Sequence, residues 1–133
     1  MFNSPFENQE RTFDPETRFV FVSDLFVEDY VGGAELTSQS LIDSCPLKIE
    51  TIKSKDVNLK SLEAGHDKYW IFGNFSQMDH NLIPTIVANM EYSVLEYDYK
   101  FCRYRSIEKH YEAEQQECDC HNNIHGKMVS AFY

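Results

Sequence analysis

The chain has 133 residues, enough for one domain with a buried core, and its 42% hydrophobic and 14% aromatic content excludes a disordered polymer. Twenty-two acidic against twelve basic residues leave a net charge of −10, which argues against a general nucleic-acid-binding surface. No apolar run approaches the roughly 18 residues of a membrane span, and the opening MFNSPFENQERTFDPETR lacks the basic start and apolar core of a secretory signal, so a cytoplasmic protein is expected.

Residues 1–17 are polar, contain Pro5 and Pro15, and read as an irregular N-terminal arm with Phe2, Phe6 and Phe13 to pack it. The domain itself is predicted over 18–133. Its first strand, 18–24, holds the continuous run Phe19-Val20-Phe21-Val22, as in a strand buried on both faces of a parallel sheet. Residues 34–44 fit a helix with Ala34, Leu41 and Ile42 facing inward. Pro46 closes that unit, and 47–52 alternate as a second strand. Val57, Leu59 and Leu62 mark a short helical connection, and 68–72 form a third strand that ends at Gly73-Asn74. A helical pattern over 82–90 accepts Pro84 in its first turn, and 92–97 give a fourth strand. Residues 98–122 form a long excursion without an apolar pattern of its own. A helical pattern returns over 125–133, and the chain stops inside it, as a domain truncated at its C-terminus would. Strands alternating with helices predict an α/β fold: a Rossmann-like, three-layer αβα domain around a mostly parallel sheet.

Gly32 and Gly33 stand just before the first helix. Without Cβ atoms they let backbone N–H groups come close to a ligand, and a helix N-terminus offers an anion unpaired donors and positive dipole character. A turn serving chain geometry alone is the competing explanation. The stretch from Asp24 to Ile42, DLFVEDYVGGAELTSQSLI, resembles the N-terminal loop of GT-B glycosyltransferases, especially the large retaining family 4. There a first strand leads into a GGAE-type loop and an amphipathic helix. His125 to Tyr133 resembles the helix before a later strand of the same domain, so the likeness spans roughly residues 18–133.

The resemblance implies one half of a GT-B architecture, the N-terminal, acceptor-side domain. Its partner would be the C-terminal GT-B domain, across a cleft that holds most of the nucleotide-sugar. The implied reaction is hexosyltransferase-like, moving a sugar from a nucleotide-sugar donor to an unidentified acceptor, with this chain inactive by itself. Gly32 and Gly33 would let the backbone approach the donor diphosphate or sugar, where oriented N–H donors suit a departing diphosphate. Glu35, early in the helix, belongs with Gly32 and Gly33 to this donor-binding loop, where it would cap or favour the helix dipole before it does chemistry. Ligands of open α/β sheets gather beyond the carboxyl ends of the strands, so the segments 24–35, 73–79 and 98–105 are predicted to converge. Where many members place a histidine, this chain reads Glu96-Tyr97-Asp98-Tyr99. Asp98 is the candidate catalytic base, with an ordinary turn former as the alternative. Lys100, Arg103, Arg105 and Lys109 form a basic cluster suited to phosphate or to a solvated loop face.

Cys102 and Cys118-Asp119-Cys120-His121, with His110 and His125 close by, concentrate the thiolate and imidazole donors of structural zinc. The preferred ligand set is Cys102, Cys118, Cys120 and His121, with His125 as the exchange candidate. Ligation by protein alone would make the metal a staple for the 98–122 excursion. Cys118-x-Cys120 is tighter than the usual C-x2-C pair, so buried thiols and a disulfide from Cys102 to Cys118 or Cys120 stay open. Cys45, beside Pro46, reads as an unrelated core thiol, and His66 and His80 lie in polar connections without an evident partner. A non-catalytic, zinc-stabilised α/β binding or interaction domain is the alternative to a glycosyltransferase.

Overall fold

The computed structural model describes residues 12–95, 106–122 and 124–132. The elements in chain order are β1 (Phe19–Ser23), α1 (Gly33–Ser44), β2 (Ile49–Lys53), α2 (Leu59–Ala64), β3 (Tyr69–Phe72), α3 (Ile83–Asn89), β4 (Glu91–Val94), α4 (Ile107–Glu114) and α5 (Ile124–Ser130). The strands pair in parallel in the order β2-β1-β3-β4, with Val22 opposite Ile52 on one side and Phe72 on the other. This is the Rossmann-like α/β fold that the alternation of patterns predicts.

The pleat divides the side chains between two faces. Val20, Val22, Ile52, Trp70 and Phe72 lie in one core with Leu62 of α2, Ile83 and Ile86 of α3, and Val129 of α5. Phe21 has the opposite phase and is equally buried. On that second face Leu41 and Cys45, from α1 and its end, border Phe19, Phe21 and Ile71 around a shallow apolar groove. The crossover through α1 thus lies on one face and those through α2 and α3 on the other. Crossovers of a single hand require this when the strand order reverses after β1. Burial of each large apolar side chain stabilises by about 1.5–3 kcal/mol, so β1 and β3 are the energetic centre of the fold.

Two local devices seat Trp70, which is wholly buried. Its Nε1–H donates to the Gly65 carbonyl at 2.9 Å, and the Phe13 ring meets it edge-on at 5.8 Å. A Cβ on Gly65 would lie 2.7 Å from Trp70 Cζ2, so only glycine admits the indole. Phe13 of the arm is therefore packed, as expected; Phe2 and Phe6 lie outside the described residues.

α1 turns Leu41 toward the sheet and half-buries Ala34 and Ile42, as expected, but its most buried residues are polar. Glu35 and Ser38 are its buried residues, Ile42 is half-buried, and Leu41 is 46% exposed. Glu35 folds its carboxylate back over Gly32, in space that a Cβ there would take. Pro84 sits in the first turn of α3, where its missing N–H costs nothing. The 98–122 excursion contains a helix the apolar pattern did not show. The only buried residue of α4 is His110, so no apolar stripe marks it. The helix starts at Ser106, whose hydroxyl accepts from the Lys109 N–H, and stops at Gln115 in the left-handed region, φ 58°.

Candidate functional site

Two sites emerge, one at the carboxyl edge of the sheet and one between α4 and α5. At the edge, Asp24 follows β1 and joins three strand ends. Its N–H donates to the Asn74 carbonyl at 2.8 Å. Its carboxylate accepts from the Ser54 hydroxyl, from the Ser76 N–H at 3.0 Å and hydroxyl at 2.5 Å, and from the Gln77 N–H at 3.0 Å. Burial pushes the Asp24 carboxyl up, but these hydrogen bonds outweigh it and hold the group below its ordinary range. The predicted convergence of 24–35 with 73–79 is therefore present; 98–105, with Asp98, Lys100, Arg103 and Arg105, lies outside the described residues.

The loop from β1 to α1 is pinned by Phe26, whose ring meets Phe21, and by Asp29, which accepts from the Phe26 N–H and pairs with Lys53 at 2.8 Å. The Lys53 ammonium holds the exposed Asp29 carboxyl below its usual value. Gly32 is the residue before α1 and provides no side-chain cap. A Cβ there would lie 2.5 Å from Glu35 Oε1 and 2.7 Å from the Tyr30 ring, so the chain's own side chains occupy that space. A Cβ on Gly33 would meet nothing within 4 Å. Internal packing thus accounts for one glycine and leaves the other free to face a ligand. Beside this loop a cleft of about 890 Å³ opens, lined by Phe26, Glu28, Asp29, Lys53, Lys55 and Asn58 among others.

The second site is a cluster of donor atoms. His110, Cys118 and Cys120 bring one ligand atom each to within 4.8 Å of one another, and this group could hold a metal ion. His110 Nδ1 lies 3.4 Å from Cys120 Sγ, and both residues are 1% exposed, whereas Cys118 is half-buried. Tetrahedral zinc with bonds of about 2.0 Å to nitrogen and 2.3 Å to sulfur sets its ligand atoms about 3.5–3.8 Å apart, close to the His110–Cys120 spacing. On the far side of the ring, His110 Nε2 lies 3.1 Å from Glu114 Oε2, one turn along α4. Three local features build this arrangement. The Ser106 cap fixes the start of α4, the left-handed Gln115 reverses the chain, and Cys120 opens the 3-10 turn that leads into α5.

Of the ligands expected from sequence, Cys118 and Cys120 lie together in this cluster. Cys102 and the side chains of His121 and His125 lie outside the described residues. His110, close by in sequence but outside the preferred set, supplies an imidazole to the cluster. The usable signal was the run from Ser106 to Glu114, whose helical form puts His110 and Glu114 on one stripe. Cys45 is half-buried by the apolar groove, remote in the fold from this cluster. His80 has a partner after all: its Nε2 is 3.2 Å from the Phe75 carbonyl and its ring meets Phe75 edge-on.

Fold and sites together define a Rossmann-like α/β domain with a thiol–imidazole cluster able to hold a metal ion. No helix among the described residues is long and apolar enough to cross a membrane. No family model, curated protein or solved structure matches this chain.

Proposed function

We propose that this chain forms the acceptor-side half of a cytoplasmic GT-B glycosyltransferase, working with a C-terminal domain to move a sugar from a nucleotide-sugar to an acceptor. The observation that carries the proposal is Gly33, which opens α1 at the carboxyl edge of the sheet with nothing within 4 Å of its missing Cβ. It is supported by the strand order, which reverses between β1 and β3 as at the ligand crevice of doubly wound sheets. In the cleft beside this loop Lys53 is paired with Asp29, which leaves Lys55, set near Glu28 and Asp56, as the candidate contact for a diphosphate. Glu35, folded over Gly32, has the role of an internal contact and not of a base.

The test is a two-dimensional NMR titration of the intact chain with uridine and guanosine diphosphates. Amide shifts at Gly33 and Ala34, with a dissociation constant near ~1 mM or about −4 kcal/mol, are expected for half of a two-domain site. Gly33→Ala should then weaken binding about tenfold or more and leave stability unchanged, because the added methyl meets nothing in the free protein. Unmoved Gly33 and Ala34 amides for both nucleotides contradict the proposal.

A second reading is favoured by the His110–Cys118–Cys120 cluster: a zinc-stabilised α/β domain that binds or assembles without catalysis. Zinc suits two thiolates and an imidazole, and Cys102 or His121 would complete four-coordinate, structural ligation. Zinc alone is compatible with both readings; zinc without nucleotide binding selects this one.

A further inference from the structure

We infer that Glu114 is the positioning residue of this metal site, fixing His110 as a ligand through Nδ1. The inference rests on the zinc reading above and is independent of the glycosyltransferase one. A neutral imidazole has one N–H and one lone pair, and a carboxylate can only accept. Glu114 Oε2, 3.1 Å from Nε2, therefore places the proton on Nε2. The lone pair is left on Nδ1, 3.4 Å from Cys120 Sγ, and Cys118 belongs to the same residue group. Metal-ligating histidines usually donate their other N–H in this way, which sets the tautomer, orients the ring and raises ligand basicity.

The placement follows from α4 itself. Residues four apart share a helix face, so the 110/114 spacing brings the carboxylate to the ring's Nε2 edge. After the left-handed Gln115 the chain brings Cys120 back to the ring's Nδ1 edge. His110 is 1% exposed, so its orientation is fixed by these contacts and not by solvent. The ligand class is a borderline-soft divalent cation, with zinc as the ion of ordinary availability.

A plain helix ion pair between His110 and Glu114 makes a different prediction, which allows a decisive test. Zinc affinity of the intact chain is measured by competition with a chromophoric chelator, and unfolding of the metal-free protein is followed in parallel. Glu114→Ala should weaken zinc binding by about 10–100-fold, the usual cost of losing such a partner. Glu114→Gln, which keeps an acceptor oxygen, should recover most of that loss. Glu114→Gln should unfold at the parental midpoint when metal-free, whereas Glu114→Ala, which removes the acceptor of a buried N–H, should unfold somewhat earlier. Long-range nitrogen-15 spectra of the zinc form should show His110 protonated at Nε2. Undiminished affinity in Glu114→Ala, an Nδ1-protonated ring, or a Glu114→Gln variant that binds zinc as weakly as Glu114→Ala overturns the role of Glu114. Failure of the metal site itself is separately visible: Cys118→Ser, at a half-buried position that tolerates the change, would then bind zinc as the parent does. Cys120→Ser repeats that control where it folds.

Discussion

Removing the Asp24 carboxylate should unlock the carboxyl edge of the sheet. In Asp24→Ala the Ser54 hydroxyl, on a residue with 0% exposure, loses its acceptor, and an unsatisfied buried donor costs about 1–3 kcal/mol. Ser76 and Gln77 are exposed, so their donors rehydrate and each lost bond costs only about 0.5–1.5 kcal/mol, toward the lower end. The sum, discounted for that rehydration, is about 2–4 kcal/mol, which at an m-value of about 2 kcal/mol/M lowers the urea midpoint by about 1–2 M. Adding Ser54→Ala removes the orphaned hydroxyl, so the double variant should be more stable than additivity predicts by about 1 kcal/mol. The pH dependence has a fixed sign. Asp24 is held below its unfolded value of about 3.9, so its contribution is complete above that pH and is lost as pH falls through the folded pKa. The penalty of Asp24→Asn should accordingly be constant from neutral pH down to about 5 and shrink below about 4. A midpoint unchanged in Asp24→Ala, or strict additivity with Ser54→Ala, would refute the role assigned to this carboxylate.

Gly65→Ala should destabilise by about 1–3 kcal/mol, because its methyl would sit 2.7 Å from the buried indole of Trp70. Denaturation followed by tryptophan fluorescence reads both the loss and the displaced ring. Gln115→Gly should stabilise by about 0.5–1 kcal/mol, since glycine takes the left-handed conformation at φ 58° without the Cβ penalty. A lower midpoint in that variant would show that the Gln115 side chain, which donates to the Glu112 carbonyl at 3.0 Å, matters more than its backbone.

How much of this was legible depended on which residues carried the pattern. The apolar runs of β1 and β3 announce a doubly buried parallel sheet, because strands covered on both faces have few polar positions. Pro84 and the 57–62 connection behave as their chemistry dictates. The inner face of α1 was partly legible, through Leu41 against the sheet. Its most buried residues, Glu35 and Ser38, are polar, and Gly32 leaves room for the Glu35 carboxylate. Likewise α4 buries a histidine and ends on a glutamine instead of a glycine, so neither its stripe nor its stop shows in the sequence. The metal cluster was half legible: the C-x-C pair is local, whereas His110 joins it only through the turn at Gln115. Asp24 was recognised as a strand-end residue, but its partners Ser54 and Ser76 lie some 30 and 52 residues away and reach it only through the sheet order.

The measurement that bears most directly on this account is the metal content of the purified chain, read together with thermal unfolding before and after chelation. The account predicts one zinc per chain. At free zinc about 1,000-fold above its dissociation constant, the ion adds about 4 kcal/mol, so chelation should lower the midpoint by roughly 10–20 °C. A metal-free chain whose midpoint neither zinc nor chelator moves would contradict it, leaving His110, Cys118 and Cys120 as an ordinary buried cluster.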